Sequence, residues 1–213
     1  MSLGYREYFQ SPTEVSSDPL FLTIAGLIGS LESAGVTVVS AAGNDYGAHA
    51  VSQSDPLREN IAIPAIVSTL AVGAVWQDGQ YSNIDFGNAI DYTTGPDRFA
   101  SFSQRLSTLD SMIFAPGAMI YSTVPGDAYD NYPGTSMAAP AVAGAVALLQ
   151  DTSLQFGNRL LKPGEVRQIL NATADLIQDV ETPGDSVINS GQTYRRMNIY
   201  KAVQEVRRRV ITV

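Results

Sequence analysis

Ser136 stands in a context that could activate a serine hydroxyl for nucleophilic attack. It follows Gly134-Thr135 and precedes the apolar run Met137 to Leu149, which predicts a central, buried helix beginning at the serine. Backbone N–H groups and the positive end of the helix dipole would stabilise a developing oxyanion there. A serine at this junction would equally serve as an ordinary helix N-cap, so the position by itself leaves both interpretations open.

Asn44 is a second candidate, at the end of Ala41-Ala42-Gly43-Asn44. The run Val36 to Ala42 is rich in β-branched and small residues and predicts a strand buried on both faces. Ligands of open parallel sheets bind at the carboxyl ends of the strands, where the Asn44 amide could donate to an oxyanion. A turn asparagine in a left-handed conformation would give the same pattern.

The sequence has one histidine, His49, and no cysteine. These counts exclude disulfides, thiol nucleophiles, thiolate zinc sites and two-histidine metal centres. Any serine–histidine mechanism confined to this chain must use His49, which we predict to be a loop residue. Asp127, Asp130 and Asn131 are oxygen donors at a suggestive spacing for calcium, but no EF-hand pattern is present and solvated loop positions are the simpler interpretation.

The composition is that of a folded α/β protein. Of 213 residues 45% are hydrophobic, and 13 Lys and Arg against 21 Asp and Glu give a net charge of −8, which argues against nucleic acid as a partner. No apolar run reaches the roughly 18–20 residues of a membrane span, and no signal peptide is visible. The basic run Arg207 to Arg209 is predicted to be a solvated helix end.

The alternation of strands and helices predicts an α/β fold with a mostly parallel sheet. We predict helices over 20–35, 136–149, 161–173 and 197–210, strands over 36–42, 69–75 and 119–124, a surface excursion over 77–98 and a loop over 126–134.

Several segments, in order, resemble the subtilisin-like serine peptidases. Gly134-Thr135-Ser136-Met137-Ala138-Ala139-Pro140 is similar to the nucleophile signature of that family, and 38–44 is similar to its oxyanion-hole strand, about 90 residues earlier. Further similar segments are 72–75, 99–103, 114–117, 120–123, 164–170 and 198–203. The resemblance covers most of the chain and is weakest over 77–98.

The resemblance implies a three-layer subtilisin-like fold and hydrolysis of peptide bonds in peptide or protein substrates. It assigns Ser136 as the nucleophile, and Asn44 with the Ser136 N–H as the oxyanion hole. It also implies secretion and, in many members, bound calcium. The positions that it places along the substrate are Ser2, Leu3, Gly4, Ala41, Ala42, Gly43, Gly134 and Thr135.

The sequence departs from the family in its catalytic base. The family runs Asp, His, Asn and Ser along the chain, whereas here nothing before Asn44 matches the Asp or His motif and His49 follows it. Ala141 stands where the family often has a histidine that is not part of the triad. We therefore expect residues 1–213 to be the C-terminal portion of one peptidase domain, with its N-terminal part missing.

A chain that lacks the Asp and His of the catalytic triad is expected to be inactive alone. It is also expected to be able to self-associate through exposed sheet edges. One alternative is a catalytically degenerate peptide-binding or scaffold domain. A second is an α/β-hydrolase esterase, which Gly134-x-Ser136 faintly resembles. It is disfavoured because no histidine follows Ser136 and residue 138 is Ala.

Overall fold

The computed structural model describes residues 8–11, 13, 18–50, 55, 59–62, 64–180 and 186–211. The predicted segment Ser2-Leu3-Gly4 lies outside these residues. The elements in chain order are β1 (Tyr8–Phe9), α1 (Pro19–Ser33), β2 (Val39–Ala41), α2 (Tyr46–His49), β3 (Ile61–Ala62), a 3₁₀ turn (Ala65–Val67), β4 (Leu70–Val75), β5 (Ile84–Asp85), β6 (Ile90–Asp91), β7 (Met112–Pro116), β8 (Ile120–Val124), β9 (Ala128–Tyr132), α3 (Thr135–Gly157), α4 (Pro163–Thr173), β10 (Asp175–Gln178), β11 (Thr193–Arg196) and α5 (Ile199–Ile211).

A five-stranded sheet in the order β10-β11-β7-β4-β2 organises the chain. Strands β2, β4, β7 and β11 run parallel, and only β10 is antiparallel to its neighbour. The runs that form β2, β4 and most of β7 are buried throughout, as a parallel sheet covered on both faces requires. The predicted mostly parallel α/β fold is confirmed.

Alternate residues of β4 separate two hydrophobic layers. Leu70 and Val72 belong to the core that contains buried residues of α3, α4 and α5, whereas Ala71 and Val75 belong to the core that contains Phe21 of α1. Helices therefore cover both faces of the sheet, which gives three layers.

Helix α3 is longer and less buried than its sequence predicted. Its 23 residues carry buried positions such as Val142 and Leu149 on the sheet side, but Leu148 and Leu154 are exposed on the other. Within the residues that the structure describes, it is the one helix whose length and apolar composition would allow it to cross a membrane, and 44% of its most apolar window is buried. Packing on the sheet gives a structural reason for that composition.

The predictions for two polar segments were wrong. The segment predicted as a loop over 126–134 contains β9, which pairs with β8 in an antiparallel hairpin. Excursion 77–98 is not purely a surface feature, because Trp76 Nε1 donates to the buried carboxylate of Asp91 within it at 2.6 Å.

Candidate active site

Ser136 lies in the first turn of α3, where the chain returns from the β8–β9 hairpin. The base of the hairpin is closed by the Gly134 N–H, which donates to the Gly117 carbonyl at 2.8 Å. The Gly117 N–H in turn donates to Val75 at the end of β4. The serine turn is thus fixed at the carboxyl ends of β4 and β7.

Gly134 has a backbone conformation that other residues rarely adopt, with φ 153° and ψ 151°. It leads directly into α3, whose first turn donates from the Met137 N–H to the Gly134 carbonyl at 2.9 Å. A side chain at this position would contact Met137 Sδ at 3.4 Å, so a larger residue would crowd the start of α3.

The side chain of Asn44 is held in one orientation by Thr135. Its Oδ1 accepts from the Thr135 N–H and from the Thr135 hydroxyl, each at 2.9 Å. The Thr135 Oγ1 also accepts from the Gly43 N–H at 3.1 Å. Because a backbone N–H only donates, the atom facing it must be the amide oxygen, so the Asn44 NH₂ group points away from Thr135.

Two N–H donors therefore border the space beside Gly134. A Cβ built on Gly134 would lie 3.5 Å from the Asn44 Nδ2 and 3.6 Å from the Ser136 backbone nitrogen. The arrangement can hold an oxyanion between a side-chain amide and a backbone amide, next to a serine side chain. The structure thus brings together Ser136, Asn44, Gly134 and Thr135, while their catalytic and substrate-binding roles stay predictions.

The remaining predicted residues form the strand end before Asn44. Ala41 and Ala42 are buried, and the Ala42 N–H donates to the Val72 carbonyl at 2.9 Å. Gly43, with φ 114°, accepts at its carbonyl from the Gln104 N–H at 3.0 Å. Contact of these residues with a substrate stays a prediction.

His49 ends the one-turn helix α2 rather than lying in a loop. Its Nδ1 pairs with the Asp55 carboxylate at 3.4 Å. The buried face of α2 packs through Tyr46 against Ala89 and Val187. The structure therefore gives His49 an acidic partner, Asp55, at the end of the short helix that follows Asn44.

Asn88 is a neighbour of the site that sequence reasoning missed. Its Nδ2 lies 3.4 Å from the Asn44 carbonyl and 3.5 Å from Asp45 Oδ1. It belongs to excursion 77–98, where the family resemblance is weakest, so no motif signalled it.

A buried ion pair supports the loop beside Gly43. The Arg105 guanidinium donates to Asp179 at 2.7 Å, and it stacks on the Tyr46 ring at 3.7 Å. Burial works against the charged form, but attraction by Asp179 and neighbouring tyrosines leaves the pKa of Arg105 raised. The Asp179 carboxylate also accepts from Ser190, so the pair is well satisfied.

Asp127, Asp130 and Asn131, whose spacing suggested calcium, all lie on the β8–β9 hairpin. Asp127 lies in the hairpin turn, and Asp130 and Asn131 are consecutive in β9, so their side chains leave opposite faces of the strand. The Asp130 carboxylate accepts from the Asn131 N–H at 2.8 Å. Across the described part of the chain, no three His, Asp or Glu side chains form a cluster that could hold a metal ion, and calcium binding stays an expectation from the family.

Comparison with known proteins identifies the family of this chain. A sequence model of the subtilase family, peptidase S8, matches residues 1–197. Subtilisin E of Bacillus subtilis (strain 168) is 36% identical over 158 residues, covering 74% of this chain and 33% of that protein. An extracellular protease of Xanthomonas campestris is 38% identical over 153 residues, covering 71% of this chain and 22% of that protein.

Solved structures give the same fold. The self-cleaved protease domain of PatA superposes with a TM-score of 0.57 at 25% identity, covering 85% of this chain and 54% of that one. The PatG macrocyclase in complex with peptide gives a TM-score of 0.64 at 24% identity, covering 96% and 50%. The chain thus spans about a third of Subtilisin E and about half of these solved chains.

The fold and site place the chain among three-layer α/β proteins with a serine at the entry of a core helix. With a family match over 197 of its residues, the chain belongs to the subtilase family.

Proposed function

We propose that this chain supplies the nucleophile and the oxyanion hole of a serine endopeptidase. The observation that supports this best is the Thr135 anchor on Asn44 Oδ1, which directs the Asn44 NH₂ group and the Ser136 N–H to the same space. Two preorganised donors beside a serine are what acyl transfer requires.

In the proposed reaction the Ser136 hydroxyl oxygen bonds to the substrate carbonyl carbon, and its proton passes to a base. The carbonyl oxygen becomes an oxyanion held by the Asn44 NH₂ group and the Ser136 N–H. Collapse of this intermediate breaks the C–N bond, and the leaving amine takes the proton from the base. Water then hydrolyses the ester on Ser136 by the same steps.

We propose that this chain does not supply the general base that takes the proton of Ser136. Its single histidine, His49, pairs with Asp55 and follows Asn44 along the chain, whereas the histidine of the family precedes that asparagine. A serine hydroxyl without a base is a poor nucleophile, and triad members act as a unit. We therefore propose that the 213-residue chain alone does not turn over substrate, and that the assembled peptidase uses a histidine and an aspartate outside this sequence.

Exposed apolar faces offer a surface for a further polypeptide segment that would carry the base. Leu27 of α1 is 62% exposed, and Leu148 and Leu154 of α3 are also exposed. Such faces are unusual for a free domain. We propose that the element carrying the histidine covers the exposed face of α3, the helix that begins at the serine turn, and that the chain on its own self-associates through such faces.

The proposed substrates are peptides or proteins, which would run past Ser2, Leu3 and Gly4 and insert a side chain beside Ala41, Ala42 and Gly43. Small residues there would leave room for a large side chain. An extracellular location is proposed by analogy with the extracellular protease of Xanthomonas campestris.

The proposal is tested by supplying the base chemically. The purified chain is mixed with a peptide p-nitrophenyl ester and increasing imidazole, and the imidazole-only reaction is subtracted. We expect p-nitrophenol release that rises with imidazole, vanishes in Ser136→Ala and falls in Asn44→Ala. Removal of this kind of donor costs roughly 10²–10³-fold in turnover, a range established for a subtilisin rather than derived from this geometry.

Equal release by the wild-type chain and Ser136→Ala would overturn the assignment of the nucleophile. Peptide binding with no imidazole-dependent release would favour a peptide-binding domain instead. Labelling of the chain by an organophosphonate without imidazole, lost in Ser136→Ala, would show that the base is present after all.

A further inference from the structure

The β8–β9 hairpin carries aromatic side chains into solvent beside the serine turn. Tyr132 ends β9 four residues before Ser136, and the hairpin base is closed by the Gly134–Gly117 hydrogen bond. Tyr121 on β8 and Tyr129 on β9 are 66% and 61% exposed. The hairpin is therefore an aromatic surface attached directly to the proposed nucleophile.

Tyr121 and Tyr129 form a stacked pair on one face of the hairpin. Tyr121 pairs with Asn131 and Tyr129 pairs with Thr123 in the strand register, so the two tyrosines are diagonal neighbours. Their ring centroids are 5.4 Å apart with planes inclined by 20°. The stack covers the inner surface of each ring and leaves the outer surface open to a ligand.

The charge around this pair is negative. No Lys or Arg occurs between Arg105 and Arg159, the stretch that holds the whole hairpin and the serine turn. Asp127 is exposed in the hairpin turn two residues before Tyr129, whereas the exposed Asp130 extends from the face opposite the two tyrosines. Exposed tyrosine faces attract cations, arginine above all, and no cationic side chain of this stretch competes for them.

We propose that the stacked pair Tyr121–Tyr129 binds an arginine or lysine side chain of a polypeptide substrate, on the C-terminal side of the scissile bond. The inference rests on the proposed function. The resemblance places residues before the bond at Ala41 to Gly43, at the end of β2, whereas the hairpin leaves the sheet after β7, on the other side of β4. We therefore assign the hairpin to the residues after the bond. Aromatic stacking and negative charge together favour a basic side chain over a neutral one.

The reach of the hairpin limits the position of that residue. Asn131, opposite Tyr121, is five residues from Ser136, and Tyr129 is seven. At about 3.3 Å per residue these separations are at most about 17 and 23 Å. An extended peptide covers the same distance in about five to seven residues, so the basic residue lies within about seven residues of the bond.

The test measures binding of fluorescent peptides to the 213-residue chain by anisotropy. The peptides share one apolar half before the bond and differ after it in a single residue, arginine or citrulline, scanned along the C-terminal half. Citrulline keeps the shape of arginine without its charge. At the best position we expect the arginine peptide to bind about fivefold tighter or more, with the difference shrinking at high salt.

Matched variants identify the tyrosines as the cause. In Tyr121→Leu/Tyr129→Leu the preference for arginine should disappear, whereas Tyr121→Phe/Tyr129→Phe retains both aromatic faces and should keep it. Equal binding of arginine and citrulline peptides by the wild-type chain, or a preference that survives in the leucine variant, would overturn the inference and leave the proposed peptidase function standing. Failure of every peptide to bind would overturn both the inference and the proposed substrate class, while imidazole-dependent release still reports on Ser136.

Discussion

Asn44 Oδ1 accepts from both the backbone N–H and the hydroxyl of Thr135, at 2.9 Å each. This pairing joins a strand end to a helix start 91 residues later and fixes which way the Asn44 amide points. The Thr135 hydroxyl also accepts from the Gly43 N–H. The buried Thr135 side chain therefore orients the Asn44 amide and anchors the chain where it leaves β2. Thr135 is therefore a positioning residue.

Thr135→Val keeps the shape of the side chain and removes its hydroxyl. Asn44 would keep only the backbone N–H of Thr135 as an anchor, and the Gly43 N–H would lose its acceptor. We expect imidazole-dependent ester release to fall about three- to tenfold, less than in Asn44→Ala, because about 1 kcal/mol of orienting hydrogen bond is lost. Thr135→Ser retains the hydroxyl and should stay close to wild type; equal loss in both variants would contradict the role of the hydroxyl.

Gly134→Ala should block the oxyanion space as well as strain the backbone. The added Cβ would stand about as near to Asn44 Nδ2 as to the Ser136 nitrogen, and φ 153° is unfavourable for alanine by about 1–3 kcal/mol. Gly126→Ala is the matched control, since its φ is 90° and nothing lies within 4 Å. We expect both to lower stability in urea unfolding, but only Gly134→Ala to abolish ester release. Retained release in Gly134→Ala would contradict the placement of the site.

Gly73→Ala should destabilise the sheet core. Its Cβ would lie 2.2 Å from the Phe114 ring, which packs edge-on against Phe99 with a 4.9 Å centroid separation. Overpacking of this kind costs about 1–3 kcal/mol. Gly144→Ala on α3, where nothing lies within 4 Å, should instead raise stability by about 0.5–1 kcal/mol. Urea midpoints that shift in the same direction for both variants would contradict this packing.

Asp91 should make stability depend on pH. Burial raises the pKa of Asp91 from its ordinary value of 3.8, although hydrogen bonds from Trp76 and Ser101 oppose the rise. The folded state then holds the proton more tightly than the unfolded state, so this contribution is full below about pH 3.8 and is lost as pH rises through the raised pKa. Asp91→Asn does not titrate.

The measurement for Asp91 is the urea-unfolding free energy of the wild-type chain and of Asp91→Asn across the acidic to neutral range. We expect the wild-type value to fall relative to the variant as pH rises above about 4. A difference that stays constant, or that moves the other way, would show that burial does not govern this carboxyl group.

The sequence predicted the strands and helices that have a clear hydrophobic pattern. Strands β2 and β4 were predicted because strands covered on both faces are continuous apolar runs. Helices α1, α4 and α5 were predicted because a helix with one buried face has apolar residues at helical spacing. Strand β9 was missed because Ala128 to Tyr132 is polar and exposed, and β10 because only alternate residues are partly buried. Their pairing partners, not their composition, make them strands.

The sequence likewise predicted some residues of the candidate site and missed others. Ser136 and Asn44 were predicted from motifs and from their places at a helix start and a strand end. The function of Thr135 as an anchor, the neighbour Asn88 and the buried pair of Arg105 with Asp179, 74 residues apart, depend on contacts between distant segments. Local sequence patterns do not specify such contacts.

The central claim is that Ser136 attacks carbonyl carbon while Asn44 holds the oxyanion. Its most direct test is mass spectrometry of the chain after reaction with a peptide p-nitrophenyl ester and imidazole, followed by peptide mapping of the adduct. We predict one acyl group on Ser136 in the wild-type chain, slower acylation at the same residue in Asn44→Ala, and none in Ser136→Ala. An acyl group on another residue, or acylation of Ser136 at an unchanged rate in Asn44→Ala, would contradict it.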